Sequence, residues 1–290
     1  MSSRRDYHLG VLFVTLSALA WSTTGFFTRL IPLDSFTLLV WRGFFATLSL
    51  LVVCYMLHGR ETLAEFRRFG RYEWLYVAIS ICSMILYITS LNYTSVAHGA
   101  VIYATLPFLA AFLGWIFLRE RPERNAAIAS LVALVGVVLM AGFGSDGNLF
   151  GDFLGFVMTA CMAGLIIVLR KKPDMAATPA ACMGSFLSIF ICLPFATPLE
   201  VSGLQLFQLA LFGIINSAAG LAFFILGSKC LPAIETGLIG ALDTPVAPLW
   251  VWLAFSETPG TNTIVGGTIV FVAVVAHILA GQRKPKTAIA

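Results

Sequence analysis

Apolar residues in this chain neither alternate with polar ones nor keep to one narrow helical stripe. They run on for about twenty residues at a time, the length a helix needs to cross a bilayer core. Ten such runs lie near 9–30, 35–57, 73–92, 97–118, 125–142, 151–170, 177–197, 204–227, 233–255 and 262–281. The dyad alternation of a membrane barrel strand is missing from them. In lipid, backbone polar groups must be satisfied inside the segment, which a helix does unaided. The pattern predicts an all-α polytopic membrane protein with ten transmembrane helices. The linkers between runs are too short to hold a soluble domain.

Composition sharpens this picture. A soluble domain carries about a quarter charged residues, whereas these 290 residues are 11% charged and 59% hydrophobic, with a mean hydropathy of +0.92. The net charge of +4 points to no nucleic-acid partner, because the basic residues sit in short segments between apolar runs. Cys54, Cys82, Cys161, Cys182, Cys192 and Cys230 form no CxxC pair and read as small apolar side chains. Ala18-Leu19-Ala20 imitates a signal-peptidase site, but apolar character continues to Leu30, so this run reads as a retained first helix.

Charge then sets orientation. Of the 18 Lys and Arg, 16 fall in segments on one side of the predicted helices, among them Arg60, Arg67, Arg68, Arg119, Arg121, Arg124, Lys171 and Lys172. Arg29 falls on the other side and Arg42 inside a span. By the positive-inside rule the rich side is cytoplasmic, and both termini are expected there, in a bacterial-type inner membrane. A repeat fits the same scheme. "WIFLRERPERN" from Trp115 returns 137 positions later as "WLAFSETPGTN" from Trp252, stripped of its arginines. Five helices per half is an odd number, so the second copy ends on the opposite side, where arginine would oppose insertion. Gly10 and Arg29, 19 residues apart, are matched by Gly151 and Arg170. The expectation is two five-helix inverted repeats, residues 1–145 and 146–290, around a central cavity.

The W-x4-E-x-P-x2-N closures, "ALAWSTTGFFTR", "WRGFFA" and "SLNYTSVAHGAVIYATLPFLAAFLGWIFLRERP" together resemble the EamA-type members of the drug/metabolite transporter superfamily. Among these the chain looks most like YddG-type aromatic amino acid exporters. The resemblance implies a secondary carrier working by alternating access, with helices one to four and six to nine around the cavity and helices five and ten bracing it outside. It implies no cofactor. The partners are the lipid bilayer and a small, amino acid-like substrate; proton coupling and facilitated diffusion both fit, and a monomer suffices.

Polar residues at membrane depth are costly and usually face a cavity or a partner. Arg42 lies roughly 10 Å into the second helix and Asp243 roughly 15 Å into the ninth, at 1.5 Å per residue. They read either as a structural ion pair or as carboxylate anchor and ammonium counter-ion. Pro107, Pro245 and Pro248 interrupt the fourth and ninth helices at nearly corresponding depths, a pointer to a transporter's central site. Trp21, Tyr87, Tyr103, Phe223 and Phe224 supply aromatic walls; Ser22, Thr23 and Asn216 supply polar atoms. Trp41, Trp74, Trp115, Trp250 and Trp252 read as interfacial belts, and Glu120 and Glu257 as anchors at span ends. His98 and Glu235, at the starts of helices four and nine, are gate candidates, while His277 is expected at the cytoplasmic interface.

Gly142, Gly144 and Gly147 spell GxGxxG but lack the strand and βαβ unit that a dinucleotide site requires. No P-loop, HExxH or Ser-His-Asp pattern occurs, so neither an ATP-driven pump nor an enzyme is expected. The substrates that fit best are aromatic and apolar amino acids, moved outward. The alternative is an importer or exchanger of a cofactor, sugar, polyamine or drug, against whose phosphorylated versions the single intramembrane arginine argues. Cysteines placed at Arg121 and Gly260 should react with an impermeant maleimide from opposite faces of sealed vesicles. Labelling of both from one face would refute the inverted arrangement.

Overall fold

The computed structural model describes residues 4–283 apart from 92, 95, 142–147 and 257. Among the described residues every regular element is helical. The apolar runs become α1 (Arg4–Ser22, then Thr24–Leu30), α2 (Ser35–His58), α3 (Arg71–Leu91) and α4 (Val96–Tyr103, then Leu106–Leu118). These are followed by α5 (Arg124–Ala141), α6 (Leu149–Lys171) and α7 (Ala177–Cys192). The last three are α8 (Gly203–Phe212, Gly213–Ala219, Gly220–Ser228), α9 (Ala233–Gly240, then Asp243–Phe255) and α10 (Thr261–Arg283). Eight of the ten are long and apolar enough to cross a membrane. Of the other two, α5 is apolar over the shorter stretch Arg124–Met140, and α3 is uncharged from Trp74 to Leu91. The count of ten is therefore approximate.

Helix starts follow local chemistry. Asp34 caps α2 by accepting hydrogen bonds from the N–H groups of Phe36 and Thr37 at 3.0 and 2.9 Å, satisfying donors that a helix N-terminus leaves orphaned. Slight burial works against its ionisation, yet the hydrogen bonds from Thr37 and Phe36 outweigh it and hold the carboxyl below its ordinary range. Asn148 caps α6 through Phe150 N–H, and Ser202 with Gln205 forms a reciprocal capping box on α8. At the repeated motif, α4 and α9 end on left-handed residues, Arg119 (φ 56°, ψ 26°) and Ser256 (φ 56°, ψ 21°).

Helix pairing has a regular pattern. α5 packs on α10, α2 on α7 and α4 on α9. α3 packs on α6 as α8 does on α1; α4 meets α6 as α9 meets α1; α7 meets α3 as α2 meets α8. These neighbours are unchanged when α1–α5 exchange numbers with α6–α10. The largest core cluster joins α2, α3, α4, α6, α7, α8 and α9 through residues such as Leu50, Tyr76, Leu106, Ile166, Cys182, Phe224 and Ala233. A second joins α1, α5, α9 and α10 through Val14, Val137, Leu238 and Val274.

The α5–α10 contact depends on missing side chains. A Cβ on Gly136 would stand 2.7 Å from the Gly266 carbonyl oxygen and 2.8 Å from Val270 Cγ2. In lipid, where no hydrophobic force draws helices together, such close approach supplies the packing.

Gly266→Leu should force α5 and α10 apart and lower the detergent melting temperature, for an overpacking cost of about 1–3 kcal/mol. An unchanged Tm would show that this crossing is slack. The Asp34 cap should contribute at neutral pH and fade as pH falls through its depressed range. Asp34→Ala should accordingly lower Tm at pH 7 and do so less in acid.

Candidate functional site

Two helices break at the same place in their respective halves. α4 stops at Tyr103 and resumes at Leu106; α9 stops at Gly240 and resumes at Asp243. The cause is in the sequence. Pro107 has no N–H to give the Tyr103 carbonyl four residues back, and Pro245 has none for Ala241. Each gap closes as tight turns instead: Thr105 N–H to Ile102 O and Phe108 N–H to Thr105 O (both 3.0 Å), and Leu242 N–H to Ile239 O (3.1 Å) with Thr244 N–H to Ala241 O (3.3 Å). The two breaks pack together, since a Cβ on Gly237 would lie 3.0 Å from Pro107 Cα. Asp243 opens the second half of α9, at the positive end of a helix dipole, and accepts a hydrogen bond from Thr244 Oγ1 at 3.0 Å.

α1 and α8 are irregular nearby. Ser22, Thr23 and Thr24 hydroxyls donate to the carbonyls of Leu19, Ala20 and Trp21 at 2.7, 2.6 and 2.7 Å, competing with the helical ladder, and α1 breaks at Thr23. Opposite, α8 widens into a π turn over Gly213–Ala219 with Asn216 at its middle. The Asn216 amide donates to Ala20 O (3.1 Å), Trp21 O (3.2 Å) and Thr24 Oγ1 (2.8 Å), and its oxygen accepts from Arg42 Nη1 at 3.5 Å. Asn216 thus bridges the α1 break to the α2 arginine. Wide turns of this kind concentrate at functional sites.

Arg42 is also held over the Phe212 ring, 5.6 Å from its centroid. Among the described residues no ion pair joins Arg42 to Asp243, so the two charges stay unneutralised by each other. Tyr87 lies within electrostatic reach of both, and Tyr103 within reach of Asp243 and Tyr87. Arg42, Tyr87, Tyr103 and Asp243 converge from α2, α3, α4 and α9. Trp21 meets Phe224 at 5.0 Å, whereas Phe223 stacks on Phe13 at 6.0 Å. Trp250, expected at the interface, donates its indole N–H to Ser22 Oγ at 2.8 Å. Phe212 and Trp250 carried no signal as site residues in the sequence, because their positions depend on which face of α8 and α9 turns inward.

Burial differs along the axis. All eight residues of Ala233–Gly240 are buried, but none of Asp243–Phe255 is fully buried. At the arginine-rich end Glu120 is clasped by Arg170, whose Nε donates at 3.1 Å. A separate cavity of about 220 Å³ lies there, lined by Glu120, Arg121, Glu123, Arg170, Pro232 and Glu235 among others. Glu235 is buried and accepts from the Tyr7 hydroxyl at 2.9 Å. His277, near the end of α10, is buried as well. His98 lies in the first segment of α4, but its side chain falls outside the described residues, as do Glu257 and the GxGxxG glycines Gly142, Gly144 and Gly147.

Comparison with known proteins agrees with this architecture. Residues 8–142 match the EamA-like transporter family. The "Uncharacterized transporter YwfM" of Bacillus subtilis is 25% identical over 96% of this chain and 96% of its own length. The "S-adenosylmethionine uptake transporter" of Rickettsia bellii is 24% identical over 97% and 96%. A solved crystal structure superposes with a TM-score of 0.78 at 16% identity, covering 96% of this chain and all of that one, which establishes likeness of fold.

Asn216→Ala should leave the α1 carbonyls and Arg42 without their partner. The expected result is a drop in Tm worth about 1–3 kcal/mol together with weaker ligand-induced thermal stabilisation. A variant of unchanged stability would mean the bridge is not formed in the membrane.

Proposed function

We propose that this chain is an EamA-like secondary transporter of small amphipathic metabolites, with aromatic and apolar amino acids the cargo that best fits the groups gathered around Arg42 and Asp243. The convergence of Arg42 and Asp243, opposite in sign and not paired with each other, among aromatic rings carries this reading. Arg42 offers two parallel N–H donors to a carboxylate, Asp243 a carboxylate to an ammonium, and Trp21, Tyr87, Tyr103 and Phe224 offer ring faces to a flat side chain. Ser22, Thr23, Asn216, Pro107 and Pro245 shape or line the same region, while Phe223 stacks on Phe13 away from it.

Transport proceeds by alternating access of two inverted halves, residues 1–145 and 146–290, with both termini on the cytoplasmic side of an inner membrane. Support comes from the exchange-invariant helix pairing, the matching left-handed caps at Arg119 and Ser256, and the arginine bias. The full burial of Ala233–Gly240 beside the looser Asp243–Phe255 fits a state shut at the cytoplasmic end and open outward. Glu120 with Arg170, and Glu235, sit where a cytoplasmic gate would be; His98 is the candidate at the other end of α4.

A second reading is favoured by one relationship. S-Adenosylmethionine carries the same ammonium and carboxylate, plus a sulfonium that Asp243 and the surrounding rings would attract, and Rickettsia relatives are named for its uptake. Purified protein in liposomes should move labelled Phe, Trp or Met. Asp243→Asn and Arg42→Gln should each cut that flux at least about tenfold, the value of one lost charge-assisted hydrogen bond. Flux of S-adenosylmethionine without amino acid flux would select the second reading, and absence of both would defeat the site assignment.

A further inference from the structure

A second titratable cluster lies apart from the proposed substrate site. Glu235, the third residue of α9, is 4% exposed, and His277 of α10 is 5% exposed. The Tyr7 hydroxyl of α1 donates to Glu235 Oε2 at 2.9 Å. His277 Nε2 stands 3.6 Å from the same oxygen, too far for a hydrogen bond. Among the described residues neither nitrogen of the buried imidazole has a hydrogen-bond partner, which is rare enough in a folded interior to require a reason.

The charges around Glu235 supply one. Facing it are Tyr7 from α1 and His277 from α10. Sharing its cavity are Glu120, Arg121 and Glu123 from the end of α4 and the loop beyond, and Arg170 from α6. α5 and α8 add no residue to that lining. Arg170 is committed to Glu120, and Arg121 is exposed. An ionised Glu235 beside a neutral His277 is therefore a buried negative charge held by one hydroxyl, a costly arrangement. One proton changes that. Placed on His277 Nε2, it converts the 3.6 Å contact into a charge-assisted hydrogen bond and cancels the charge. The proton arrives from, and returns to, the cavity that Glu235 borders.

We infer that Glu235, His277 and Tyr7 form a proton-binding site, distinct from the substrate cavity, that latches the arginine-rich end of the transporter. Loaded, it clamps Ala233–Gly240 between α1 and α10. Unloaded, it leaves a charge that is relieved when this segment moves and Glu235 meets water. The latch works through α9, the helix that also presents Asp243, so proton release at one end is tied to exposure of the substrate site. Its role as a gate rests on the transport reading above; its existence as a proton site does not.

The test uses the full chain in liposomes, with the six native cysteines replaced and Ala111→Cys, which lines the cavity, as reporter. Maleimide labelling, expressed at each pH relative to the same reagent's rate with a free thiol so that thiolate formation itself cancels, should speed up at least about fivefold, the lower end of typical coupling energies, as the pH is raised from about 5 to about 8. Glu235→Gln and His277→Gln should each abolish that pH response, while Tyr7→Phe, which keeps the Glu235–His277 pair, should retain it. If a Gln variant fails to fold, His277→Phe fills the space without a titratable group and should show the same loss. A pH response absent from the parent protein, or unchanged in these variants, overturns the latch. Because labelling needs no cargo, pH-dependent labelling with flux of neither amino acids nor S-adenosylmethionine would count against the transport reading and in favour of the proton site. Flux with labelling indifferent to Glu235 and His277 would remove the latch alone.

Discussion

A helix in lipid can be interrupted only where something else satisfies the backbone groups that the break releases. That constraint organises this molecule. Pro107 and Pro245 each remove one rung of their helical ladders, and the structure answers by bringing the two breaks together in the bundle interior. Tight turns close the gaps, Gly237 lets the two segments approach, and the helix start at Asp243 lies within electrostatic reach of Tyr87 and Tyr103. The breaks create the polar region at mid-bundle; the aromatic rings fill in around it.

α1 and α8 obey the same rule with different chemistry. Three consecutive hydroxyls, Ser22 to Thr24, draw carbonyls out of the α1 ladder. Asn216, pushed inward by the wide turn of α8, collects two of those carbonyls and the Thr24 hydroxyl with one amide group. Its remaining oxygen meets Arg42. The arginine is therefore anchored through a neutral side chain, and its charge is not cancelled by Asp243. Arg42 and Asp243 therefore reach the same region without neutralising each other.

Symmetric framing coexists with asymmetric side-chain chemistry. The helix pairing, the left-handed caps and the paired breaks recur at corresponding positions, yet Asp243 stands where the earlier copy has Leu106. Likewise the arginine-rich end holds the Glu120–Arg170 clasp and the Glu235–His277–Tyr7 cluster against a fully buried stretch of α9. Corresponding positions of the repeated pattern thus carry different side chains, and single substitutions set the chemistry at each end.

The linear chain by itself determined the spans, their caps and the depth of each polar residue, because these depend on length, hydropathy and neighbours within a few positions. Arg42, Asp243 and the prolines were legible for that reason: a charge or a missing N–H inside an apolar run is conspicuous without any coordinates. Only the tertiary structure decided which faces turn inward. It set Phe224 rather than Phe223 against Trp21, drew Trp250 from its expected interfacial place to Ser22, and buried His277 beside Glu235. It also gave Arg42 to Asn216. A helix hydrophobic on every side carries no stripe to mark its inner face, so in lipid the choice of face is made by packing between helices, which the order of residues does not display.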